Sequence, residues 1–173
     1  MATVECFVLV VGWPGSGKTT LARALARELG LAYLGKDEVK EALMDALDAP
    51  SSVPESQRLG RAAVHCVLRV ARGCPGAVID STWFPYTLPL VRELPGPLVE
   101  IRCQVEADVA RRRYGARRRD ERHLDDQRTE RELWGQPVLP LGVGPLVVVD
   151  TGQPVDAAEV AAKVRAALSR RPA

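Results

Sequence analysis

The chain has 173 residues, of which 46% are hydrophobic and 27% charged, a composition typical of a globular protein with a sizeable core. Its formal net charge of +2 is too small to indicate nucleic acid or a membrane surface as the main partner. No apolar run approaches the roughly 20 residues that cross a bilayer. The length predicts a single domain over residues 1–173.

Strand-like and helix-like segments alternate along the chain. Short apolar runs predict five strands, at residues 4–11, 31–34, 77–81, 98–105 and 145–151. Longer segments with helical periodicity predict helices, at residues 18–29, 37–47, 57–72, 106–119 and 156–171. Because strands separated by helices form parallel sheets covered on both faces, we expect a five-stranded, doubly wound α/β domain.

The loop after the first strand reads GWPGSGKT, which fits GxxxxGK[ST] at every specified position and predicts a P-loop NTPase-type domain. Glycines clear a path for a backbone that wraps a phosphate, and the next helix adds partial positive charge at its N-terminus. We expect Lys18 to neutralise the β and γ oxygens of ATP and the Thr19 hydroxyl to bind Mg²⁺. The predicted nucleotide-binding residues here are Gly12, Trp13, Pro14, Gly15, Ser16, Gly17, Lys18, Thr19 and Thr20.

Two acidic residues follow strands that we expect near this loop. Asp37 follows the second strand, which we place next to the first, and its carboxylate either accepts the proton of a substrate hydroxyl or caps the next helix. Lys40, one turn later, is predicted either to bind an anionic part of the substrate or to face solvent. Asp80 ends the third strand, where an acid could hold Mg²⁺ through water.

Arginines are concentrated in residues 111–131. The helix there begins acidic and becomes basic, and we predict a lid over about residues 113–140 that closes on the ATP phosphates. Arg113 and Arg117 are four residues apart and therefore share one helical face. Most of these arginines are expected to face solvent, and those predicted to contact the nucleotide are Arg113, Arg117 and Arg122.

Aromatic residues cluster after the third strand, in a chain with only 5% aromatic residues. Trp83, Phe84 and Tyr86 are predicted either to stack on an apolar or ring-bearing acceptor or to cover the edge of the sheet as ordinary core. Elsewhere, Cys6, Cys66 and Cys103 lie in apolar segments without CxxC spacing, which predicts buried free thiols. With no signal-peptide pattern, these cysteines favour a cytoplasmic location.

Four blocks, VGWPGSGKTTLARALA, YLGKDEVKEALM, GAVIDSTW and VEADVARRRYGAR, resemble small P-loop kinases of the nucleoside-monophosphate-kinase-like group. Similar patterns occur in the kinase domain of bacteriophage polynucleotide kinase, chloramphenicol phosphotransferase and the zeta toxins. The resemblance covers about residues 4–168 and implies a five-stranded parallel sheet, with Asp37 as the catalytic aspartate. It leaves Asp80 and Ser81 as alternatives on the magnesium side. Lys40 stands where the polynucleotide kinase has an arginine, which disfavours a nucleic acid 5′-hydroxyl as acceptor.

The sequence thus predicts an ATP- and Mg²⁺-dependent kinase for a small-molecule hydroxyl, with catalytic residues Asp37, Lys18, Arg113 and Arg117. No NKxD motif for guanine occurs, and the chain is short for a remodelling ATPase with a separate helical domain. Two alternatives remain open. One is a kinase for a polynucleotide 5′-hydroxyl or a nucleotide sugar, and the other is a regulatory NTPase that works through a partner protein.

Overall fold

Five parallel strands form one sheet at the centre of the computed structural model, which describes residues 5–117, 120–135 and 137–170. The strands are β1 (Phe7–Val11), β2 (Ala32–Gly35), β3 (Ala77–Asp80), β4 (Leu98–Gln104) and β5 (Leu146–Asp150). Their order across the sheet is β2-β3-β1-β4-β5, and each neighbouring pair is parallel. The predicted fold class, a five-stranded doubly wound α/β domain of the P-loop type, is confirmed.

Helices cover both faces of this sheet. They are α1 (Lys18–Leu29), α2 (Lys36–Leu47), α3 (Val53–Ala71), α4 (Leu88–Val91), α5 (Ala107–Ala116), α6 (Glu130–Trp134) and α7 (Ala157–Ser169). The apolar residues of α1 and α7 pack with Val8 and Val10 on one face of the sheet. Those of α3 and α4 pack with Phe7 and Leu9 on the other face, so β1 is buried on both sides and is apolar throughout. Within the described ranges, no helix is long and apolar enough to cross a membrane.

Helix α3 begins at Val53, earlier than the predicted residue 57. The Ser52 side chain caps it by accepting a hydrogen bond from the Glu55 N–H (3.4 Å). Pro54 lies in the first turn, where no intrahelical partner is available for a backbone N–H. The Pro- and Ser-rich segment that we predicted to be an exposed turn therefore contains the start of a helix.

Strand β3 lies between β1 and β2, so β2 is not next to β1 as predicted. In the ladders, Asp80 is level with Val10 on one side and with Gly35 on the other. Because the strands are parallel, the loop after β1 and the start of α2 after β2 both meet the end of β3. This register brings three predicted site segments to one edge of the sheet.

The cysteines differ from the prediction at one position. Cys6 and Cys103 are buried, but Cys66 is exposed because Val64, Val67 and Leu68 form the inward face of α3. Burial raises the pKa of Cys6 to about 11 and that of Cys103 to about 12, so both thiols are protonated at neutral pH.

Candidate active site

The P-loop has the backbone conformation that its glycines allow. Gly15 and Gly17 have φ values of +73° and +81°, in the left-handed region, and a Cβ at Gly15 would collide with the Ala110 carbonyl oxygen of α5. The Ser16 Oγ is buried and has no hydrogen-bond partner among the described residues. Buried polar atoms are normally paired, so this loop is shaped to surround a hydrogen-bonding ligand at the N-terminus of α1.

Lys18 folds back over the P-loop, where its Nζ donates a hydrogen bond to the Trp13 carbonyl oxygen (2.8 Å). Burial lowers the pKa of Lys18, the carboxylate of Asp80 opposes that decrease, and the positive charge of Arg117 adds to it. The positive charges of Lys18 and Arg117 repel each other, so each makes the charged form of the other less favourable. A polyanion such as a triphosphate would relieve this cost, so the arrangement suits phosphate oxygens.

Thr19 and Asp80 form the oxygen pair expected of a magnesium site in a P-loop protein. The Thr19 Oγ1 donates to Asp80 Oδ2 (2.6 Å), and the Tyr33 hydroxyl lies 3.3 Å from the same oxygen. Sequence reasoning missed Tyr33, because nothing in the β2 pattern indicates which strand β2 pairs with. The described residues contain no cluster of three His, Cys, Asp or Glu side chains that could hold a metal by themselves. Hydroxyl and carboxylate oxygens fit Mg²⁺, whose other ligands would come from phosphate and water.

A cavity of about 110 Å³ joins the P-loop to the predicted base. It is lined by Pro14, Lys18, Thr19, Lys36, Asp37, Lys40, Asp80, Ser81, Thr82, Tyr114, Arg117, Asp125, Arg128 and Leu133. Asp37 lies in the first turn of α2, while Gly35 is the N-cap, so Asp37 does not cap this helix. Its Oδ1 accepts a hydrogen bond from Lys36 Nζ (2.9 Å). The structure therefore brings Asp37 to the same small cavity as Lys18, Asp80 and Arg117.

The three predicted lid arginines lie in three different places. Arg113 Nη1 donates to the Thr151 carbonyl at the end of β5 (2.8 Å), and Gly17 lies against the same residue. Arg117 follows α5 in an extended conformation and lines the small cavity, so it does not share a helical face with Arg113 as predicted. Arg122 is away from this cavity, because its guanidinium binds the carboxylates of Asp120 and Asp45.

Arg128 is a site residue that sequence reasoning missed. Its side chain lines the small cavity and also a second, larger cavity of about 490 Å³. Its Nε lies 3.8 Å from Asp125 Oδ1. Asp125 begins a short 3₁₀ helix before α6 (Asp125–Gln127), and Arg128 directly follows that helix. One arginine among the many of this region cannot be singled out from the sequence, since only the tertiary position distinguishes it.

The larger cavity lies between α3, the loop after β3 and the lid segment. Its lining comprises Lys36, Lys40, Ser56, Gln57, Gly60, Arg61, Val64, Thr82, Phe84, Pro85, Tyr86, Arg128 and Glu132. Phe84 and Tyr86 stack with ring centroids 5.9 Å apart. Trp83, predicted with Phe84 as a substrate contact, is instead 4% exposed, and its Nε1 donates to the Val10 carbonyl (3.1 Å). The structure thus places Trp83 in the core, the alternative that the sequence had left open.

His123 connects the lid segment to the α2–α3 pair. It is 1% exposed, its Nε2 lies 2.9 Å from Glu41 Oε1, and its Nδ1 lies 3.4 Å from Lys40 Nζ. Ser56 Oγ donates to the His123 carbonyl (3.1 Å) and accepts from Lys40 Nζ (2.6 Å). With Lys40 as donor to Nδ1, the proton of the neutral ring is on Nε2 and points at Glu41. Lys40 is therefore buried between helices rather than solvated, and it is a lining residue of both cavities.

Trp13 joins the P-loop to α6. Its ring packs edge-on against Trp134 at 6.2 Å, and Trp134 packs in the same way against Tyr114 of α5 at 5.7 Å. On its other side, Trp13 lines a third cavity of about 300 Å³ together with Gly12 and Ser16. Thr20, the last predicted P-loop residue, is exposed in the first turn of α1.

A parallel sheet in this order, with a P-loop, a threonine–aspartate pair and a facing aspartate at one edge, defines a P-loop kinase-like protein. Residues 7–134 match the AAA_33 family, described as an AAA domain, and the chain belongs to this family. An uncharacterised protein of Mycobacterium tuberculosis (strain H37Rv) is 35% identical over 131 residues. That alignment covers 67% of this chain and 26% of the relative, so the chain matches about a quarter of the length of its curated relatives.

Solved structures of small kinases share the fold. A candidate kinase from Chloroflexus aurantiacus is 29% identical, with a TM-score of 0.77 over 96% of this chain and 99% of its own. A gluconokinase from Sinorhizobium meliloti is 19% identical, with a TM-score of 0.62 over 96% and 93% of the two chains. The APS kinase of M. tuberculosis, solved with AMPPNP and APS, is 19% identical, with a TM-score of 0.60 over 95% and 98%. The chain therefore shares its fold with solved structures of kinases, one of which contains a nucleotide analogue and a small substrate.

Proposed function

We propose that this protein is an ATP-dependent kinase that transfers the γ-phosphate to a hydroxyl group of a small molecule. The observation that carries the proposal is the small cavity in which Asp37 faces Lys18, Thr19 and Asp80. A nucleotide-binding switch needs the P-loop and a metal site, but it does not need a second carboxylate in the same cavity. A phosphotransferase needs a base at that position.

In the proposed reaction, Asp37 accepts the proton of the acceptor hydroxyl while that oxygen forms a bond to the γ-phosphorus. The bond between the γ-phosphorus and the bridging oxygen breaks, and ADP leaves with the electron pair. Lys18 and Arg117 line the cavity and stabilise the negative charge on the transferred group. Lys36 Nζ donates a hydrogen bond to Asp37 Oδ1 (2.9 Å) and so orients the carboxylate.

Thr19 and Asp80 would hold Mg²⁺, which supplies neutralising charge at the phosphate oxygens when it is bound. Arg113 donates a hydrogen bond to the Thr151 carbonyl at the end of β5, and Thr151 lies against the P-loop glycine Gly17. We therefore place the nucleotide base at the end of β5. The lid, about residues 113–140, would thus contribute Arg113 to the base side and Arg117 to the phosphate side. We propose that the chain works as one domain in this way.

Among the groups that the sequence resembles, the larger cavity favours small-molecule kinases such as chloramphenicol phosphotransferase. Its volume of about 490 Å³ suits one small ligand. A polynucleotide kinase must leave a channel for a polymer, and here the buried His123 holds the lid segment against α2 and α3.

Incubation of the purified protein with Mg²⁺, ATP and a panel of alcohols, sugars and nucleosides tests the proposal. We expect one class of acceptor to gain a phosphate, detected by mass spectrometry together with ADP. Lys18→Ala serves as the nucleotide-site control, because it removes the P-loop charge. Release of inorganic phosphate alone, with every panel member unchanged, would contradict the kinase assignment and favour a regulatory NTPase.

A further inference from the structure

The larger cavity opens directly beside the predicted base. It shares four lining residues with the small cavity, namely Lys36, Lys40, Thr82 and Arg128. A molecule in the larger cavity can therefore extend one end toward Asp37. The remaining walls decide which kind of molecule fits.

Charge in this cavity is strongly unbalanced. Among the residues that the structure describes, four cationic side chains line it, Lys36, Lys40, Arg61 and Arg128, against one carboxylate, that of Glu132. Glu132 is committed to the N-terminus of α6, where its Oε2 accepts from the Thr129 N–H (2.8 Å) and Oγ1 (3.0 Å). Lys36 is paired with Asp37, and Lys40 donates to Ser56. Arg128 lies 3.8 Å from Asp125 Oδ1, but its buried Nε makes no hydrogen bond to any described residue. The guanidinium groups of Arg61 and Arg128 are therefore the charges best placed to bind an anion in the cavity.

One wall is apolar and flat. Phe84 and Tyr86 stack with an interplanar angle of 13°, and each keeps nearly half of its surface exposed, at 47% and 45%. Arg61 and Tyr86 line the same cavity, and the positive charge of Arg61 opposes the rise that burial causes in the pKa of Tyr86. An exposed aromatic pair beside arginines suits a ligand with a ring and an anionic substituent.

We propose that the acceptor is a small molecule with a flat apolar part and a carboxylate or phosphate group, held by Phe84 and Tyr86 and by Arg61 and Arg128. This inference rests on the proposed function, because it assumes that the acceptor hydroxyl points at Asp37. A ligand of about this cavity's 490 Å³ reaches from Arg61 on α3 to the start of α2. Arg128 lies at the junction of the two cavities and is the anion contact nearest the reaction.

Binding of naphthalene probes separates this proposal from phosphate transfer. The protein is first saturated with Mg²⁺ and AMPPNP, so that the P-loop cannot bind the probe. The affinities of 2-naphthoate and 2-naphthyl phosphate are then compared with that of neutral 2-naphthamide by naphthalene fluorescence. We expect both anions to bind at least about tenfold more tightly than the amide, as a charge-assisted contact would give.

Arginine variants locate the anion contact. Arg61→Gln and Arg128→Gln should each lower the affinity for 2-naphthoate by about tenfold and leave the affinity for 2-naphthamide unchanged. Phe84→Ala should lower the affinity for both probes. Arg69→Gln is the matched control, because Arg69 is exposed on the same helix as Arg61 and lies outside the cavity. Arg61 is exposed as well, so Arg61→Gln remains a fair test if Arg128→Gln fails to fold.

The outcomes distinguish this proposal from the kinase assignment. Equal binding of the acid and the amide, or anion binding that both arginine variants retain, would overturn the anionic acceptor and leave the kinase untouched. Selective anion binding without phosphate transfer to any member of the acceptor panel, extended to hydroxy acids and their phosphate esters, would support the site and contradict the kinase. Displacement of 2-naphthoate by a 5′-hydroxyl oligonucleotide at lower concentration would overturn the small-molecule assignment in favour of a polymer.

Discussion

Asp37 of α2 and Lys18 of α1 line the same small cavity, and the proposed reaction gives them different roles. In the proposed reaction, Lys18 contacts the phosphates of the nucleotide, whereas Asp37 has a role only when an acceptor is present. The two side chains therefore separate binding from transfer at the scale of single residues. Their variants give the most direct test of the proposed chemistry.

We expect Asp37→Asn to lower kcat by at least about a hundredfold, because general-base catalysis contributes on that order. The affinity for Mg²⁺ and AMPPNP should stay within about threefold of the wild type, measured by titration calorimetry. Asp108→Asn removes an exposed carboxylate at the start of α5 and should change neither quantity. Unchanged turnover in Asp37→Asn, with turnover lost in Lys18→Ala, would instead indicate a regulatory NTPase.

The cysteines allow a second test at this scale. Burial raises the pKa of Cys6 to about 11 and that of Cys103 to about 12. In the folded protein these thiols therefore ionise at a higher pH than in the unfolded chain. At pH 8 we expect iodoacetamide to modify Cys66 first in the native protein, and all four cysteines in denaturant, as read by mass spectrometry. Rapid native modification of Cys103 would contradict the burial beside the P-loop.

At the scale of elements, the predicted lid, about residues 113–140, is held against α2 and α3 by the buried side chain of His123. His123 bridges Glu41 of α2 through its ring, while Ser56 of α3 binds its carbonyl. This network sets where Arg128 stands relative to Asp37. It also explains why the 3₁₀ segment before α6 can be ordered without a long helix of its own.

We expect His123→Ala to lower the free energy of unfolding by about 1–3 kcal/mol, since it removes a fully buried ring together with its contacts to Glu41 and to the buried Lys40. Amide hydrogen exchange in residues 120–128 should quicken more than exchange in β1. His65→Ala is the matched control, because His65 is exposed on α3. Equal exchange in wild type and His123→Ala would show that the ring does not hold the segment.

At the scale of the whole molecule, nucleotide binding and folding should be linked. The P-loop, α1 and the end of β3 contribute to both the core and the site, so a ligand that binds only the native state stabilises the entire fold. We expect the chain to unfold in one cooperative transition, as a single domain of this size does. Mg²⁺ with AMPPNP at about one hundred times its Kd should raise the free energy of unfolding by about 2.7 kcal/mol.

Calorimetry of residues 1–173 with and without this nucleotide measures both quantities. Lys18→Ala should unfold in the same single transition and lose the stabilisation. Two separate transitions in the free protein would contradict the single domain. Stabilisation that survives in Lys18→Ala would place the nucleotide somewhere other than the P-loop.

Local patterns in the sequence determined the fold class and the P-loop. Strand and helix periodicity reports which face of each element is apolar, and the GxxxxGK[ST] spacing reports a backbone shape that few other residues allow. These are properties of neighbouring residues, so one sequence suffices to predict them. The start of α3 was misplaced because Pro and Ser are also common in turns.

Only the tertiary structure decided which side chains share the site. β3 lies between β1 and β2, and this order, which no local pattern encodes, brings Tyr33 to Asp80. The sequence does not distinguish Arg128 from Arg122, but the structure does. Arg128 lines both cavities, whereas Arg122 is paired with Asp120 and Asp45. The physical reason is that contacts between distant segments depend on the packing of whole elements. Residue type and spacing along the chain do not contain that packing.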